Sequence, residues 1–396
     1  LLTTGQGYSF LDQAYFPFAG PNNKVSAARE PVPVLLFAAV QIIRPGSHLA
    51  LGVLQAAAHL ATMFGIFSLT RRLGNTSAAM LASILWAFYP AALRELIGKE
   101  VDLITSAFAV WGVAFFVRAW QGGEIRLWIF SAATLGLAVL SRSALLAVVL
   151  VLVFGLMIAK VPKRSVVVFV SVFVLTQVPW VVRNALVFGK PVVGTTLAGY
   201  NLYRQNCLIE EENFLRFLAG SESDAKFAAL IAAHPELKGT ENEAEMDAFY
   251  RCEALEIIRE HPMQYAALTG FRFFILWFNL TVPQAYGRKT NLLDIILMAW
   301  HALLLTGGLA AWRLLGRSVW PLMASVGAFT VIHMLVAARM FYSLSAVPLL
   351  LAMVSVVLLS VAERSSTWAW GIAASTALVF VLDELMIFGY LTLPNS

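Results

Sequence analysis

The sequence has few charged residues and lacks the short motifs of common soluble enzymes. Only 13% of its 396 residues are charged, whereas 59% are hydrophobic. A soluble domain has about 25% charged and about 45–50% apolar residues, and no soluble fold of this length could hide so much apolar surface. The sequence contains no P-loop, HExxH or GxSxG element, which argues against primary ATP-driven transport and the commonest hydrolases. We therefore predict an integral membrane protein.

Cysteine is also scarce, and the chain has no initiator methionine or signal peptide. Cys207 and Cys252 both lie in a long polar segment, and neither has metal-ligand spacing to a partner. Whether they form a disulfide stays open, because sequence alone cannot place them within bonding distance. The chain begins at Leu1, and we expect it to be a fragment whose amino-terminal part contains a further membrane helix.

The apolar runs predict an all-α polytopic membrane protein with about ten transmembrane helices, or eleven or more with the expected missing part. A shorter run at 34–43 is better explained as an interfacial helix. The candidate spans lie at about 48–70, 76–93, 101–118, 126–140, 143–160, 165–182, 292–312, 318–336, 342–362 and 367–388. The chain is thus divided into a first loop (1–47), a six-helix bundle (48–182), a large loop (183–290) and four C-terminal helices (291–396).

Basic residues are concentrated in alternate loops. Ten basic residues against only Glu124 and Glu363 mark one side as cytoplasmic by the positive-inside rule. The large loop and residues 1–47 then lie outside, which predicts a multi-pass protein of a bacterial inner membrane with its site on the periplasmic or extracellular side. The ten basic residues are Arg71, Arg72, Arg118, Arg126, Lys160, Lys163, Arg164, Arg313, Arg317 and Arg364.

The large loop contains two predicted helices. Thr240 and Glu243 fit a capping box in which Thr240 caps the helix and Glu243 reaches back to it. This helix should run to about Glu260, and Pro262 should start the next. The second segment, about 262–279, is rich in aromatic residues and is expected to lie at the membrane interface.

Ionisable residues near the predicted outer ends of the spans are the candidates for chemistry, because charges at apolar segments are costly. Arginine binds phosphate in a bidentate manner, and a carboxylate serves as a base or a metal ligand. A solvated turn, local ion pairs or snorkelling at helix ends would explain many of them equally well. They are Arg29, Glu30, Arg94, Glu95, Lys99, Glu100, Asp102, Arg142, Arg183 and Arg339.

Several segments resemble GT-C-type membrane glycosyltransferases, the group of protein O-mannosyltransferases and aminoarabinose transferases. The most specific is Pro-Trp-x-x-Arg-Asn at 179–184, followed by Phe-Gly at 188–189 and Gly-x-Asn-Leu-Tyr at 199–203. Arg-Glu-Pro at 29–31 resembles the family's Arg-Glu/Asp-Pro element. The other matches are 1–8, 71–74, 140–143 and 339–348, in the family's order.

The resemblance implies transfer of a sugar from a polyprenyl-phosphate donor to a glycan, lipid or protein acceptor at the extracytoplasmic face. It implies that Glu30 lies beside the site, as a catalytic carboxylate or on a divalent metal ion, and that Glu100 is a second acidic site residue. The lipid phosphate and the acceptor would be bound by Arg29, Arg142, Arg183, Asn184, Tyr200, Asn201 and Arg339.

The sequence departs from the family pattern at three places. The family's catalytic Asp lies shortly before the position of Leu1, so we expect this fragment to lack it, and Asp12 does not match it. Ser143 replaces the usual Pro after Arg142, and Phe341 breaks the usual turn after Arg339. A secondary transporter or flippase of lipid-linked sugars and a non-catalytic membrane relative therefore remain alternatives. A transporter would favour charges at the bilayer midplane and internal repeats, neither of which the sequence shows.

Overall fold

The computed structural model describes residues 26–96, 101–211, 214, 222–234, 242–278 and 292–363. Every regular element in these ranges is a helix, which confirms the all-α class. Residues 1–25, Lys99, Glu100 and the predicted span at 367–388 lie outside the described residues.

Fifteen α-helices follow one another in the described residues, with three short 3-10 helices between them. The 3-10 helices are Ser143–Leu145, Gly316–Val319 and Met340–Ser345. The α-helices are α1 Pro31–Ile43, α2 His48–Leu73, α3 Thr76–Ala87, α4 Pro90–Glu95, α5 Asp102–Gly122, α6 Ile125–Val139, α7 Leu146–Ile158, α8 Lys163–Phe188, α9 Ala198–Arg204, α10 Glu222–Ala233, α11 Glu243–Glu260, α12 Pro262–Phe278, α13 Leu292–Leu315, α14 Trp320–Leu335 and α15 Val347–Glu363.

Four helical segments are long and apolar enough to cross a membrane. They are His48–Leu73, Asp102–Gly122, Lys163–Phe188 and Ile295–Leu335. Only 22% of the apolar window of Lys163–Phe188 is buried inside the protein, against 72% for Asp102–Gly122. An apolar surface that the protein leaves uncovered needs another apolar environment, so α8 is placed at the lipid-facing side and α5 at the centre. Five further apolar helices are shorter than a full span, so the structure does not confirm the predicted number of about ten.

The span expected at 76–93 is broken in two. Helix α3 ends at Ala87, and α4 begins at Pro90. Pro90 has no amide hydrogen to continue α3, but it fits the first position of a new helix. The break leaves the buried Tyr89 hydroxyl beside His301 Nε2 of α13. Sequence pattern alone favoured one continuous apolar run here, and the proline ended it.

The main core lies where α5 packs against α2 and α6. Trp86, Phe116, Trp128 and Leu135 are among its fully buried side chains. A β-carbon on Gly112 of α5 would come within 2.6 Å of Leu135 Cγ on α6. Small residues at such crossings let helix backbones approach closely, which is how membrane helices pack without a hydrophobic difference between protein and lipid.

The loop after α8 forms a second cluster of buried residues, the loop domain, built from α9, α10 and α11. Its centre consists of aromatic side chains, with Phe227 stacked on Tyr200 at 4.9 Å and Tyr250 edge-on to Phe227 at 5.3 Å. Both cysteines lie here as free thiols, Cys207 buried and Cys252 exposed. Burial raises the pKa of the Cys207 thiol to about 12.

The predicted cap of the first loop helix needs correction. Helix α11 has the expected extent, but its cap is Asn242, whose side chain accepts from the Ala244 amide. Thr240, the predicted cap, lies outside the described residues. The Glu243 carboxylate accepts a hydrogen bond from the Ala27 amide.

Helix α12 also has the expected extent, and its aromatic face packs against other helices of the protein. Phe271, Trp277 and Phe278 are buried in the main core. The buried Arg272 guanidinium donates to the Met334 and Gln205 carbonyls, which joins the end of α14 to the loop domain. Aromatic composition alone did not distinguish a face buried against helices from one lying on a membrane.

Candidate functional site

Glu30 lies where the N-terminal segment meets the corner between α6 and α7. It is the N-cap residue of α1, followed by Pro31, which fits the first helical position. Its Oε1 accepts hydrogen bonds from the Ser143 amide at 2.8 Å and from the Ser143 hydroxyl at 3.0 Å. The Val32 amide donates to the Leu140 carbonyl at 3.1 Å. These contacts fix the Glu30 carboxylate at the start of a 3-10 helix, where amides attract negative charge.

Arg142, immediately before Ser143, forms a buried ion pair. Its Nη2 contacts Oδ1 of Asp102, the first residue of α5. The Asp102 side chain is fully buried and that of Arg142 is 14% exposed. The guanidinium also lies over the Tyr342 ring, 4.3 Å from its centroid. The sequence placed Asp102 and Arg142 on one side of the membrane but did not pair them, because they are forty residues apart.

Arg183 and Asn184 lie at the end of α8 and hold the following loop. Arg183 Nη1 donates to Asn184 Oδ1 at 2.8 Å, and its guanidinium lies over the Trp180 ring at 5.0 Å. The Asn184 amide is fully buried and donates to the Val192 carbonyl at 3.0 Å. The Trp180 indole donates to the Gly194 carbonyl at 2.7 Å. The Pro-Trp-x-x-Arg-Asn sequence thus has a local structural role, which sequence reasoning did not foresee.

The same loop lies against Ser143. Gly194 has a positive φ of +84°, and a β-carbon there would come within 2.6 Å of Ser143 Cβ. Only glycine adopts that backbone without strain and leaves space for the neighbour. The loop therefore brings the end of α8 to the corner that holds Glu30 and Arg142.

The remaining predicted site residues are exposed, half-buried or packed in the loop domain. Arg29 is exposed beside Glu30, and the exposed Arg339 is three residues from the Tyr342 that stacks on Arg142. Tyr200 is buried in the loop-domain core, where its hydroxyl accepts from Arg204 at 2.8 Å. Asn201 is half-buried on α9. The structure thus brings Glu30 and Arg142 together through Ser143, places Arg183 at the end of α8 and places Tyr200 in the loop-domain core.

Glu30 does not form a ligand set for a metal ion with the described residues. Its carboxylate accepts hydrogen bonds from Ser143, and no group of three His, Cys, Asp or Glu side chains in the described ranges includes it. A divalent ion needs several oxygen, nitrogen or sulfur ligands. Within the described ranges, the one group with suitable spacing is Glu210, Glu260 and His261 at the surface of the loop domain.

Residues 28–182 match the family described as dolichyl-phosphate-mannose-protein mannosyltransferase. The resemblance to GT-C-type membrane glycosyltransferases is confirmed. The matched stretch includes Glu30, Asp102 and Arg142, and it ends just before Arg183. No curated protein matches the chain.

Two solved structures share the fold. One is the crystal structure of the Archaeoglobus fulgidus oligosaccharyltransferase in complex with Zn and sulfate, with 16% identity, a TM-score of 0.51 and coverage of 98% of this chain and 47% of that chain. The other is the same archaeal enzyme tethered with an acceptor peptide, with 14% identity, a TM-score of 0.50 and coverage of 98% and 50%. The chain therefore spans about half the length of the solved structures it matches. The likeness supports a GT-C fold for this membrane protein.

Proposed function

We propose that this protein moves a sugar from a polyprenyl-phosphate donor to an acceptor at the extracytoplasmic face of a membrane. The observation that carries the proposal is the match of residues 28–182 to a family of dolichyl-phosphate-mannose-dependent transferases. That stretch contributes Glu30, Asp102 and Arg142 to one corner of the fold. The acceptor belongs to the class of proteins, lipids or glycans.

The charges at this corner suit a phosphate leaving group. Arg29, Arg183 and Arg339 would contact the lipid phosphate, since arginine forms bidentate bonds to phosphate oxygens. Asp102 neutralises the charge of Arg142, and the Arg142 guanidinium packs over the Tyr342 ring. Arg142 would therefore support the site structurally. Glu30, which is partly exposed, would face the reacting groups as an acid or base. Glu100 keeps its predicted role as a second carboxylate.

A divalent metal is a further element of the proposal. The archaeal oligosaccharyltransferase of the same fold was crystallised with Zn. Glu30 would be one ligand, and it belongs to no group of three possible ligands among the described residues.

The test is transfer of labelled sugar from a polyprenyl-phosphate donor by the full-length protein in proteoliposomes. We expect wild-type protein to label an acceptor, and Glu30→Ala and Arg183→Ala to abolish labelling while the protein remains inserted. Arg126→Ala is the matched control, because Arg126 pairs with Glu124 on an exposed turn at the end of the bundle predicted to be cytoplasmic.

Near-normal turnover in Glu30→Ala or Arg183→Ala would remove that residue from the site. Movement of the labelled lipid across the bilayer without transfer to any acceptor would overturn the transferase and favour a flippase.

A further inference from the structure

Glu243, the first residue of α11, joins three separate parts of the chain through one carboxylate. Its Oε2 accepts from the Ala27 amide at 2.8 Å and from the Thr196 hydroxyl at 2.8 Å. The Ser26 side chain lies near the same carboxylate and acts to lower its pKa. The Thr196 amide in turn donates to the Ala27 carbonyl at 3.0 Å. The first turn of α11, the segment between α8 and α9, and the N-terminal segment thus meet at this side chain.

The position is buried rather than a surface contact. Glu243 is 2% exposed, and its Oε1 has no hydrogen-bond partner among the described residues. Burial raises the pKa of this carboxyl, and Arg183 acts in the opposite direction. A buried carboxyl is costly unless its hydrogen bonds are made, so the Ala27 and Thr196 donors stabilise it in this position.

The contacts at Glu243 continue into the candidate site. Ala27 lies three residues before Glu30, and residues 26–28 are buried throughout. Glu30 then accepts the two hydrogen bonds from Ser143, beside Arg142. The segment between Ala27 and Glu30 is therefore fixed at both ends by a carboxylate–amide hydrogen bond, one from Glu243 and one from Glu30 itself.

We propose that Glu243 is a positioning residue that holds the Arg29–Glu30 segment, and with it the Glu30 carboxylate, in the candidate site. Its effect on catalysis rests on the proposed function, whereas its effect on the segment does not. Arg183 also interacts with the Glu243 carboxylate, because its positive charge acts to lower the pKa of Glu243. The Arg183 side chain donates a hydrogen bond to Asn184. The loop domain thereby controls the geometry of a site built mainly by the helical bundle.

Hydrogen exchange tests the positioning itself. In Glu243→Ala, loss of a buried hydrogen bond predicts about tenfold faster exchange of the Ala27 amide. We expect exchange of the Ser143 amide, which donates to Glu30, to accelerate as well. Glu245→Ala is the matched control, because Glu245 is an exposed residue on the same turn whose partner Lys190 is 3.9 Å away. Faster exchange at Ala27 with unchanged protection at Ser143 would overturn the proposal.

Sugar transfer by the full-length protein gives the second measurement. We expect Glu243→Ala to lower kcat more than it raises KM for the donor. Glu243→Gln, which keeps an acceptor for Ala27 and Thr196, should restore most of the rate. Equal loss in both variants, with wild-type exchange at Ser143, would leave only a general packing role and refute positioning. If wild-type protein transfers nothing but Ser143 still responds to Glu243→Ala, the proposed function fails and the positioning stands.

Discussion

At the scale of single residues, loss of the buried ion pair between Asp102 and Arg142 should reduce the stability of the protein more than loss of an exposed pair. Breaking such a pair by removing one partner leaves an uncompensated buried charge. We expect Asp102→Asn to destabilise the protein by roughly 3–5 kcal/mol. Unfolding in detergent micelles by heat or denaturant measures this change.

An exposed pair supplies the control for that variant. Arg126 and Glu124 are 75% and 49% exposed and form an ion pair at 2.7 Å. Exposed pairs contribute at most about 1 kcal/mol, so Glu124→Gln should leave the unfolding midpoint almost unchanged. If both variants gave the same small change, the Asp102–Arg142 contact would not be a buried structural pair.

The raised pKa of Glu243 predicts a pH dependence with a definite sign. The folded state holds the proton more tightly than the unfolded chain, so the free energy of unfolding decreases as pH rises above the unfolded value of about 4.3. The decrease continues until the pH passes the pKa of the folded state. Comparing unfolding of wild type with Glu243→Gln between acid and neutral pH isolates this contribution, and we expect wild type to lose more stability. Parallel pH profiles would contradict it.

Sequence reasoning found some of these residues and missed others for a physical reason. Glu30 and Arg142 stand out because charges beside apolar runs are costly. Glu243 looked like a local cap, since its hydrogen-bond partner Ala27 is 216 positions away. Tyr200 was assigned to substrate from its motif, and the structure places its ring in an aromatic cluster with Phe227. The local sequence shows which residues are charged or aromatic. Their roles depend on contacts with residues that are distant in the sequence, which the local sequence does not show.

At the scale of elements, the extents of helices were predictable where proline or charge marks an end. Helix α11 stops at Glu260 before His261, and α12 starts at Pro262, as expected. The break before Pro90 was missed because the apolar run continues on both sides of it. Whether an aromatic face such as that of α12 meets protein or lipid depends on its neighbours, which local sequence does not contain.

The packing of α9 on α11 gives a test at this scale. A β-carbon on Gly199 would overlap the backbone carbonyl oxygen of Asp247, and the Gly199 amide donates to the Asp247 carboxylate. Backbone cannot yield as a flexible side chain does, so Gly199→Ala should separate the two helices and destabilise the loop domain by about 1–3 kcal/mol. Limited proteolysis and the unfolding midpoint would report the change.

Gly270 of α12 is the matched control for that substitution. It is exposed, and a β-carbon there would meet nothing within 4 Å. Alanine favours the helix over glycine, so Gly270→Ala should be neutral or stabilise by up to about 1 kcal/mol. Equal destabilisation by both variants would show that the α9–α11 contact is not the cause.

At the scale of the whole molecule, orientation is the property that the fold leaves to experiment. The described helices establish a membrane architecture with one loop domain, but length and apolar composition fit both directions across a bilayer equally. The prediction that the loop domain is extracytoplasmic depends on the ten basic residues of the opposite loops. The two cysteines make the orientation measurable without altering the chain.

A membrane-impermeant maleimide should label Cys252 in intact cells and leave Cys207 unlabelled. Cys252 is exposed on α11, whereas Cys207 is buried and its pKa of about 12 keeps it in the unreactive thiol form at neutral pH. Cys252→Ser should abolish the signal. In that background, Glu124→Cys on the exposed turn before α6 should react only after the membrane is permeabilised. Labelling at position 124 but not at Cys252 in intact cells would reverse the orientation and move the candidate site to the cytoplasmic face.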